Sequence, residues 1–370
     1  MMTRIANRHG AINLSQGFPD FACPDTLKIA AARAIYDDVN QYAITWGAKR
    51  YRDALAEKYE EWYGMDVDPE ANLTITCGAT EACVAVLLAI VDPGDEVIVL
   101  EPFYENYGPD AVLCDATPVF VRLADDWSID FDALRRAFSP RTRAIVINTP
   151  NNPTGHVFTR QELEGIAALC QEFDAYAVTD EVYEHITFDG AEHIPMATLP
   201  GMRDRTITIS SASKTFAITG WRMGTIVAHP EVSDAIRKVH DFLTVGAAAP
   251  LQEGVAAGLE MLPASYYVGL SDLYLKKRDL FYPALVEAGF KCAAPRGAYY
   301  ILADFSNLSD LPDDEFSLWL TKEAGVAPVP GSSFFHDPED GRRLVRWAFC
   351  KTEELLEQAA ERLLRVKTLV

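Results

Sequence analysis

The segment from Ser211 to Arg222 places an amine and a guanidinium where both can act on a small molecule. Lys214 follows a short apolar run, Thr206–Ile209, that predicts a strand, and Arg222 comes eight residues after the lysine. A lysine at a strand end can form an imine with a carbonyl compound, and an arginine beside it can bind a phosphate. The same segment fits the S-x-x-K pattern of penicillin-interacting serine enzymes, with Ser211 as nucleophile. The S-D-N and K-T-G segments of those enzymes are absent, which argues against that chemistry.

Four further polar segments come directly after apolar runs that predict strands: Cys77–Glu81, Glu101–Tyr104, Asn148–Gly155 and Asp180–Tyr183. The turn at Gly78 leaves helix amides free for a phosphate, and Tyr104 can stack on a flat ring. Asp180 is buried at a strand end and needs a cation, such as a protonated ring nitrogen. The rigid Asn148–Gly155 turn holds an amide that can donate to a ligand oxygen. A helix N-cap at Thr80 and core packing of Tyr104 are ordinary explanations for two of these segments.

The elements that must position these residues are short apolar strands alternating with helices. The predicted strands are Leu73–Cys77, Glu96–Leu100, Pro118–Val121, Ala144–Ile147, Ala175–Val178 and Thr206–Ile209. Helices are predicted between them at Thr80–Val91 and Gln161–Phe173. This alternation is typical of an α/β domain with a largely parallel sheet. Ligands of such sheets bind outside the carboxyl ends of the strands, where the five polar segments lie.

From about Ser271 the pattern changes to that of a smaller α+β domain. Helices are predicted at Leu275–Ala288, near Glu315–Ala324 and at Glu353–Val366, with an apolar segment at Tyr299–Ala303. We therefore predict a large domain over residues 41–270, a small C-terminal domain over 271–370, and an N-terminal segment, 1–40, that packs with the small domain.

The charge and cysteine content restrict the partners and the compartment. The 370 residues include 33 Lys and Arg and 54 Asp and Glu, for a net charge of −21. So acidic a chain repels nucleic-acid phosphates and anionic lipid surfaces, and neither nucleic acid nor a membrane is predicted as a partner. The seven cysteines are scattered without a C-x-x-C pair, and no secretory signal or span of ~20 apolar residues is present. We therefore expect a cytoplasmic protein.

One flat cofactor would use all five polar segments at once. It needs a phosphate, a phenolic oxygen, a basic ring nitrogen and an aldehyde. Pyridoxal 5′-phosphate (PLP) has these four features, and its usual protein partners include a lysine that forms a Schiff base and an aspartate at the pyridinium nitrogen. We therefore predict that the protein binds PLP.

The chain resembles the class I/II aminotransferases, which are PLP enzymes of fold type I. The resemblance covers nearly the whole chain, from N-L-S-Q-G-F-P-D, starting at Asn13, to V-R-W, ending at Trp347. Its most specific motif is S-A-S-K-T-F-A-I-T-G-W-R, supported by N-N-P-T-G and D-E-V-Y in the expected order. The opening L-S-Q-G-F-P-D-F is similar to that of the kynurenine, glutamine and methionine aminotransferases. The resemblance implies a large domain with a mostly parallel, seven-stranded type of sheet between helices, and a smaller α+β domain.

The resemblance also implies a role for each candidate site residue. Lys214, Asp180 and Tyr183 would be catalytic, with the Schiff base on Lys214. The cofactor-binding residues would be Gly78, Ala79, Thr80, Tyr104, Asn152, Asp180, Tyr183, Ser211, Lys214 and Arg222. Arg346 would bind the substrate α-carboxylate in a bidentate pair, with Asn152 and Gly17 beside the substrate. Tyr42 would reach the phosphate of the partner subunit, which implies a homodimer with shared active sites. The short segment before Q-G-F-P argues against an N-terminal cover over the pocket.

The function implied is a ping-pong transamination from an L-amino acid to a 2-oxo acid. Aromatic residues near the site (Phe18, Tyr104, Trp221 and Phe334) favour an aromatic or sulfur-containing donor, within an aromatic, methionine, glutamine or kynurenine class. No second arginine for a dicarboxylate side chain is evident. A cysteine-conjugate β-lyase, using the same residues, is an alternative. A PLP-binding regulator without enzymatic activity is a more distant one, because the basic DNA-binding module of such proteins has no counterpart here.

Overall fold

The computed structural model describes residues 2–369. Its strands are β1 (Ile12–Asn13), β2 (Leu73–Thr76), β3 (Glu96–Glu101), β4 (Thr117–Arg122), β5 (Thr142–Asn148), β6 (Tyr176–Asp180), β7 (Thr206–Ser211), β8 (Gly224–Val227), β9 (Tyr300–Asp304), β10 (Val326–Ala327), β11 (Val329–Pro330) and β12 (Leu344–Ala348). Its α-helices are α1 (Met2–His9), α2 (Asp25–Tyr36), α3 (Lys49–Tyr63), α4 (Ala79–Ile90), α5 (Tyr107–Leu113), α6 (Phe131–Ala137), α7 (Arg160–Glu172), α8 (Ala212–Thr215), α9 (Pro230–Thr244), α10 (Ala249–Met261), α11 (Ala264–Ala288), α12 (Asp313–Trp319), α13 (Pro338–Gly341), α14 (Glu353–Leu363) and α15 (Val366–Leu369). None of the helices in this described part of the chain is long and apolar enough to cross a membrane.

A seven-stranded sheet forms the centre of the fold, in the order β2-β8-β7-β6-β5-β3-β4. Every neighbouring pair is parallel except those of β8, which runs antiparallel to β2 and β7. Alternate residues of β3 enter different cores: Val97 and Val99 pack on one face, and Ile98 and Leu100 on the other. Because side chains alternate across a strand, a sheet covered by helices on both faces needs such an apolar run. The predicted α/β fold with a mostly parallel sheet is confirmed.

A smaller region follows, in which β11, β12 and β9 form a three-stranded antiparallel sheet. Its core contains Trp347 of β12, Phe281 of α11 and Leu356 of α14. The sequence-based domain boundaries stay a prediction. The boundary proposed at residues 270 and 271 falls inside α11, which begins 11 residues before the predicted helix start at Leu275 and runs for 25 residues.

The N-terminal segment divides between the two regions, rather than packing only with the smaller one as the sequence suggested. Strand β1 pairs in parallel with β10, and Leu14 joins the core of the small sheet. Leu27 of α2 instead packs with Tyr51 and Leu55 of α3 beside the large sheet. The segment therefore bridges both cores, because its apolar residues lie on two separate elements joined by the Gly17 loop.

Candidate active site

A cavity of about 560 Å³ lies at the carboxyl ends of the large sheet's strands, against the small sheet. The predicted site residues that line it are Gly17, Ala79, Thr80, Tyr104, Asn152, Asp180, Tyr183, Ser211, Lys214, Arg222 and Arg346. Gly78 lies directly behind this wall, against Arg222. Tyr42 does not line the cavity of its own chain and is 84% exposed. Residues far apart in the sequence thus meet in one site, as parallel strand ends dictate.

Lys214 is held on the one-turn helix α8 directly after β7. Ser211 caps this helix: its hydroxyl accepts from the Ser213 amide at 3.1 Å and donates to the Met223 carbonyl at 2.8 Å. Among the described residues, the Lys214 amine donates only to the Gly17 carbonyl, at 3.3 Å. Burial lowers the pKa of this amine to about 8, although the carboxyl of Asp180 acts in the opposite direction. A neutral, nucleophilic amine is therefore available near neutral pH.

Asp180 is the last residue of β6 and is 6% exposed. Its Oδ2 accepts from the Tyr107 hydroxyl at 2.6 Å, and its Oδ1 accepts from the Val182 amide at 3.3 Å. Burial raises its pKa, although these two hydrogen bonds oppose the rise. Within residues 2–369 no cationic side chain lies within ion-pair distance of this carboxylate. A cationic ligand nitrogen would relieve the cost of its burial.

An anion site lies where α4 begins. Gly78, with φ +88°, is the N-cap of α4, so the alternative of an N-cap at Thr80 is wrong. A Cβ on Gly78 would overlap the Arg222 guanidinium, and one on Gly224 would lie 2.7 Å from the Ala79 amide nitrogen. The two glycines therefore let the guanidinium and the first turn of α4 approach each other. Unpaired first-turn amides, the helix dipole and an arginine together suit a phosphate.

Arg346 lies on β12 and is held rigidly at the other end of the cavity. Its Nη1 donates to Asn152 Oδ1 at 2.9 Å, and its Nη2 donates to the Ser15 carbonyl at 2.7 Å. The guanidinium lies 4.5 Å from the Tyr300 ring centroid and 4.8 Å from that of Phe334. It is 7% exposed, and its buried Nε has no partner among the described residues. The residue is therefore a buried, fixed part of the cavity wall and no surface ion pair.

Two tyrosines form the wall between these ends. The Tyr183 and Tyr300 hydroxyl oxygens are 3.1 Å apart, and burial raises the pKa of Tyr183 well above its usual value. Tyr183 is thus a neutral hydroxyl that can donate to an oxygen in the cavity. The Tyr104 ring is half-buried and meets Tyr107 edge-on at 5.7 Å between centroids, which leaves a face for a flat ligand.

Sequence reasoning missed several residues of the site. Tyr107 and Tyr300, which bond Asp180 and Tyr183, were not selected because they lie 73 and 117 residues from these partners along the chain. Met2 and Thr3 also line the cavity, so α1 covers part of it, and the expectation of no N-terminal cover is wrong.

Of the four aromatic residues expected near the site, two do not line the cavity. Phe334 packs on Arg346, and Trp221 packs in the core beside α3. Phe18 and Tyr104 do line it.

The cavity fits PLP at each of its polar features. The α4 turn with Arg222 suits the phosphate, the buried Asp180 suits a cationic ring nitrogen, and the Lys214 amine suits the aldehyde. The fold and this site together define a PLP-dependent enzyme of fold type I.

Comparison with known proteins agrees. Residues 9–363 match the family described as "Aminotransferase class I and II", and the chain belongs to that family. It is a PLP-dependent aminotransferase, so the hypothesis of a non-enzymatic regulator is wrong.

Three similar proteins place the chain within the expected subgroup. Methionine aminotransferase of Escherichia coli K12 is 39% identical over 365 residues, covering 98% of this chain and 94% of that protein. Human kynurenine–oxoglutarate transaminase 1 is 36% identical over 397 residues, again covering 98% and 94%. The solved structure of N-succinyldiaminopimelate aminotransferase from Mycobacterium tuberculosis superposes with a TM-score of 0.96 at 40% identity, covering 99% of this chain and 96% of that one.

Proposed function

We propose that this aminotransferase takes the amino group from an L-amino acid with an aromatic or sulfur-containing side chain, with Lys214 as its reactive amine. The observation that carries the proposal is that Lys214, Asp180 and Arg346 line one cavity, although 132 residues separate the lysine from the arginine (346 − 214). An amine, a buried carboxylate and a rigid guanidinium in one cavity match the reactive, electron-accepting and substrate-binding parts of a transamination site.

The residues proposed to hold PLP line the cavity, except Gly78, which lies behind its wall. Its phosphate would lie against Arg222, Ser211 and the first-turn amides of Ala79 and Thr80, behind which Gly78 leaves room. Tyr104 would stack on the ring, while Asn152 and Tyr183 would face the ring oxygen. Bound PLP supplies an electrophilic aldehyde carbon and a ring that accepts electrons from the substrate Cα.

Lys214 is proposed to move the substrate proton. Within the described part of the chain its Nζ has one hydrogen bond, to a backbone carbonyl, so the side chain can leave that position at little cost. The lowered pKa, about 8, keeps a substantial neutral fraction that can accept the proton from Cα and release it again. Asp180, held by Tyr107, stays ionised beside a cationic nitrogen and so favours electron withdrawal through the ring.

Arg346 is proposed to bind the α-carboxylate of both the amino acid and the oxo acid. Asn152 and Ser15 fix the guanidinium plane, so the carboxylate enters a preformed site at a fixed distance from Lys214. A single binding geometry for donor and acceptor is what a ping-pong exchange needs, because both half-reactions use the same cavity.

The side-chain end of the cavity supports an aromatic or sulfur-containing donor. Phe18, Tyr300 and Val329 provide apolar wall, and the arginines that line the cavity within residues 2–369 are Arg222 and Arg346. Both have a role already, so this chain supplies no further guanidinium for a side-chain carboxylate. Two of the similar proteins are named for methionine and kynurenine.

A homodimer with shared sites is also proposed. Tyr42 is exposed and lies outside its own cavity, as expected for a residue that reaches the partner's phosphate. Nearby segments leave large apolar side chains in solvent: Tyr36 (87%), Ile44 (48%), Phe242 (91%) and Val245 (45%). Apolar surface of this kind marks an interface. Sedimentation of the purified protein is expected to give a dimer.

We further propose a reducing, cytoplasmic location. Supporting it, all seven cysteines are free thiols, and four of them are buried and packed as apolar side chains: Cys83, Cys114, Cys170 and Cys350. Free buried thiols are ordinary in a reducing compartment.

The decisive experiment maps the lysine that carries PLP. Reduction of the holoenzyme with borohydride, followed by peptide mapping, is expected to find the cofactor on Lys214. Lys351, whose amine donates to the Phe18 carbonyl at 2.7 Å, is the internal control because it is also buried and close to the cavity. Cofactor mapped to Lys351 or to any other side chain would overturn the proposal. A screen of amino donors against fixed oxo acids, read by pyridoxamine phosphate formation, then tests the substrate class. Release of pyruvate and ammonia from a cysteine conjugate without an acceptor would instead favour the β-lyase.

A further inference from the structure

A buried histidine lies behind the phosphate-binding turn and does not belong to the cavity wall. His240 of α9 is 0% exposed, and its Nδ1 lies 2.6 Å from Glu81 Oε1. Its Nε2 lies 3.0 Å from the Thr45 carbonyl oxygen. Along the chain, His240 lies 159 residues from Glu81 and 195 residues from Thr45.

His240 contacts two separate segments through its two ring nitrogens. Its Nδ1 faces the Glu81 carboxylate, and the Thr244 hydroxyl lies 3.3 Å from the same nitrogen and 3.4 Å from Glu81 Oε1. Its Nε2 faces the Thr45 carbonyl, which can only accept, so Nε2 is the donor of that contact. His240 thus links a carboxylate to a backbone carbonyl.

The carboxylate end of this link reaches the phosphate site. The second oxygen of Glu81 accepts from the Cys77 amide at 2.6 Å, directly before Gly78. Glu81 lies in the first turn of α4, next to Thr80. It therefore fixes the turn whose free amides face the proposed phosphate.

The carbonyl end of the link reaches the segment that carries Tyr42. Thr45 is three residues beyond Tyr42, and its hydroxyl donates to Asp241 Oδ1 at 3.1 Å. The next carbonyl, of Trp46, accepts from the Ile75 amide of β2 at 3.1 Å. The chain is thus attached to α9 and to the edge of the large sheet shortly after Tyr42, whose side chain is exposed to solvent.

We infer that His240 is a positioning residue that couples the phosphate turn of one subunit to the Tyr42 that this subunit lends to its partner. The inference rests on the shared-site dimer proposed above. It predicts that breaking the Thr45 contact weakens PLP binding in the partner's site through Tyr42, although His240 itself touches no ligand.

The test is a double-mutant cycle on the full-length protein, read as the PLP dissociation constant of the dimer and not as activity. His240→Asn keeps a donor near the Nδ1 position, toward Glu81, and removes the one toward Thr45. His240→Gln is the matched control, because its longer side chain keeps a donor near the Nε2 position. Tyr42→Phe removes a hydroxyl–phosphate bond and is expected to weaken PLP binding about 10-fold or more.

If His240 acts through Tyr42, His240→Asn weakens PLP binding about 3–10-fold in the wild-type background and less than about 2-fold in the Tyr42→Phe background. In the His240→Gln background, Tyr42→Phe should weaken PLP binding as much as it does in the wild-type background. If the two losses of PLP affinity are additive in the double variant, the inference is wrong, while the proposed dimer is unaffected. No loss from Tyr42→Phe alone would overturn the shared site and the inference with it. An NMR measurement that finds no proton on His240 Nε2 would also refute the link to Thr45.

Discussion

The two ends of the cavity hold their cations in opposite ways. At the end proposed to react, defined by Lys214, Asp180 and Tyr107, the lysine amine has a single hydrogen bond to the described residues 2–369, and burial lowers its pKa. At the binding end, defined by Arg346, Asn152 and Ser15, the guanidinium donates two hydrogen bonds of 2.9 and 2.7 Å and lies between two aromatic rings. One end leaves its cation free to move, and the other fixes it.

This difference matches what each end must do. A proton carrier has to change partners during one turnover, so additional bonds to its amine would raise the barrier. A carboxylate site has to present the same geometry to every substrate, so its guanidinium gains from being immobilised before binding. Changes at the reacting end should therefore act on kcat, and changes at the binding end on KM.

Replacing the amine is expected to have the largest effect. Lys214→Ala should lower kcat by about 10³-fold or more, because within residues 2–369 no other lysine lines the cavity, while substrate binding changes less than about threefold. Single-turnover kinetics and equilibrium titration measure the two quantities. Lys276→Ala, at an exposed lysine paired with Glu353, is the control and should leave both unchanged. A comparable loss of substrate affinity in Lys214→Ala would contradict the division between the two ends.

Exchanging the fixed cation tests the opposite end. Arg346→Lys should raise KM about 10–100-fold and leave kcat within a few-fold, because an ammonium cannot make the bidentate pair or stay between the two rings. Steady-state kinetics with several donors checks this. Arg343→Lys, at a neighbouring arginine that bonds the Ser309 carbonyl, serves as the control. If kcat fell and KM did not, Arg346 would belong to the reacting end.

The pH dependence of the rate of PLP binding tests the lowered pKa of Lys214. The folded-state pKa of Lys214 is lowered to about 8, so the neutral amine grows as pH rises toward that value and is nearly complete above it. The rate of PLP uptake by cofactor-free protein should rise roughly tenfold between pH 7 and pH 9 and then level off. Stopped-flow absorbance measures it. A rate that still climbs almost tenfold between pH 8 and pH 9 would show an ordinary lysine.

The smallest effect is expected from the tyrosine that supports the carboxylate. Tyr107→Phe removes a hydrogen bond that lowers the pKa of Asp180, so the pKa of that carboxyl should rise further. Activity should fall about 3–10-fold, with the loss greater at acidic pH, where the carboxylate takes up a proton. Tyr300→Phe, which removes the hydroxyl beside Tyr183, is a comparison from the wall between the ends. A pH–rate profile distinguishes the two, since only Tyr107→Phe should move the acidic limb.

The sequence predicted the reacting end better than the binding end. Lys214 and Asp180 follow apolar strands directly, so local pattern and burial cost were enough to select them. Arg346 came only from resemblance to a family, because its partners Asn152 and Ser15 lie 194 and 331 residues away. Pairings over such distances depend on the three-dimensional fold and leave no local periodicity.

The fold shows the same limit. The predicted strands of the large sheet lie within about two residues of those observed, since apolar runs mark buried strands. Strand β8 was not predicted, because four residues between the Arg222 turn and α9 are too short to show alternation. Because β8 is antiparallel, Gly224 lies against Ala79. The sequence could therefore suggest the anion site but could not predict its geometry.

Helix α11 connects the two cores of the molecule directly. Its first part, with Tyr267, packs beside the large sheet, and its second part, with Phe281 and Leu285, packs under the small one. At 1.5 Å per residue its 25 residues extend for about 38 Å, with Pro283 in the C-terminal part of the helix. Unfolding of either core would expose apolar side chains of the same helix, α11. Heat should therefore unfold both regions in a single calorimetric transition.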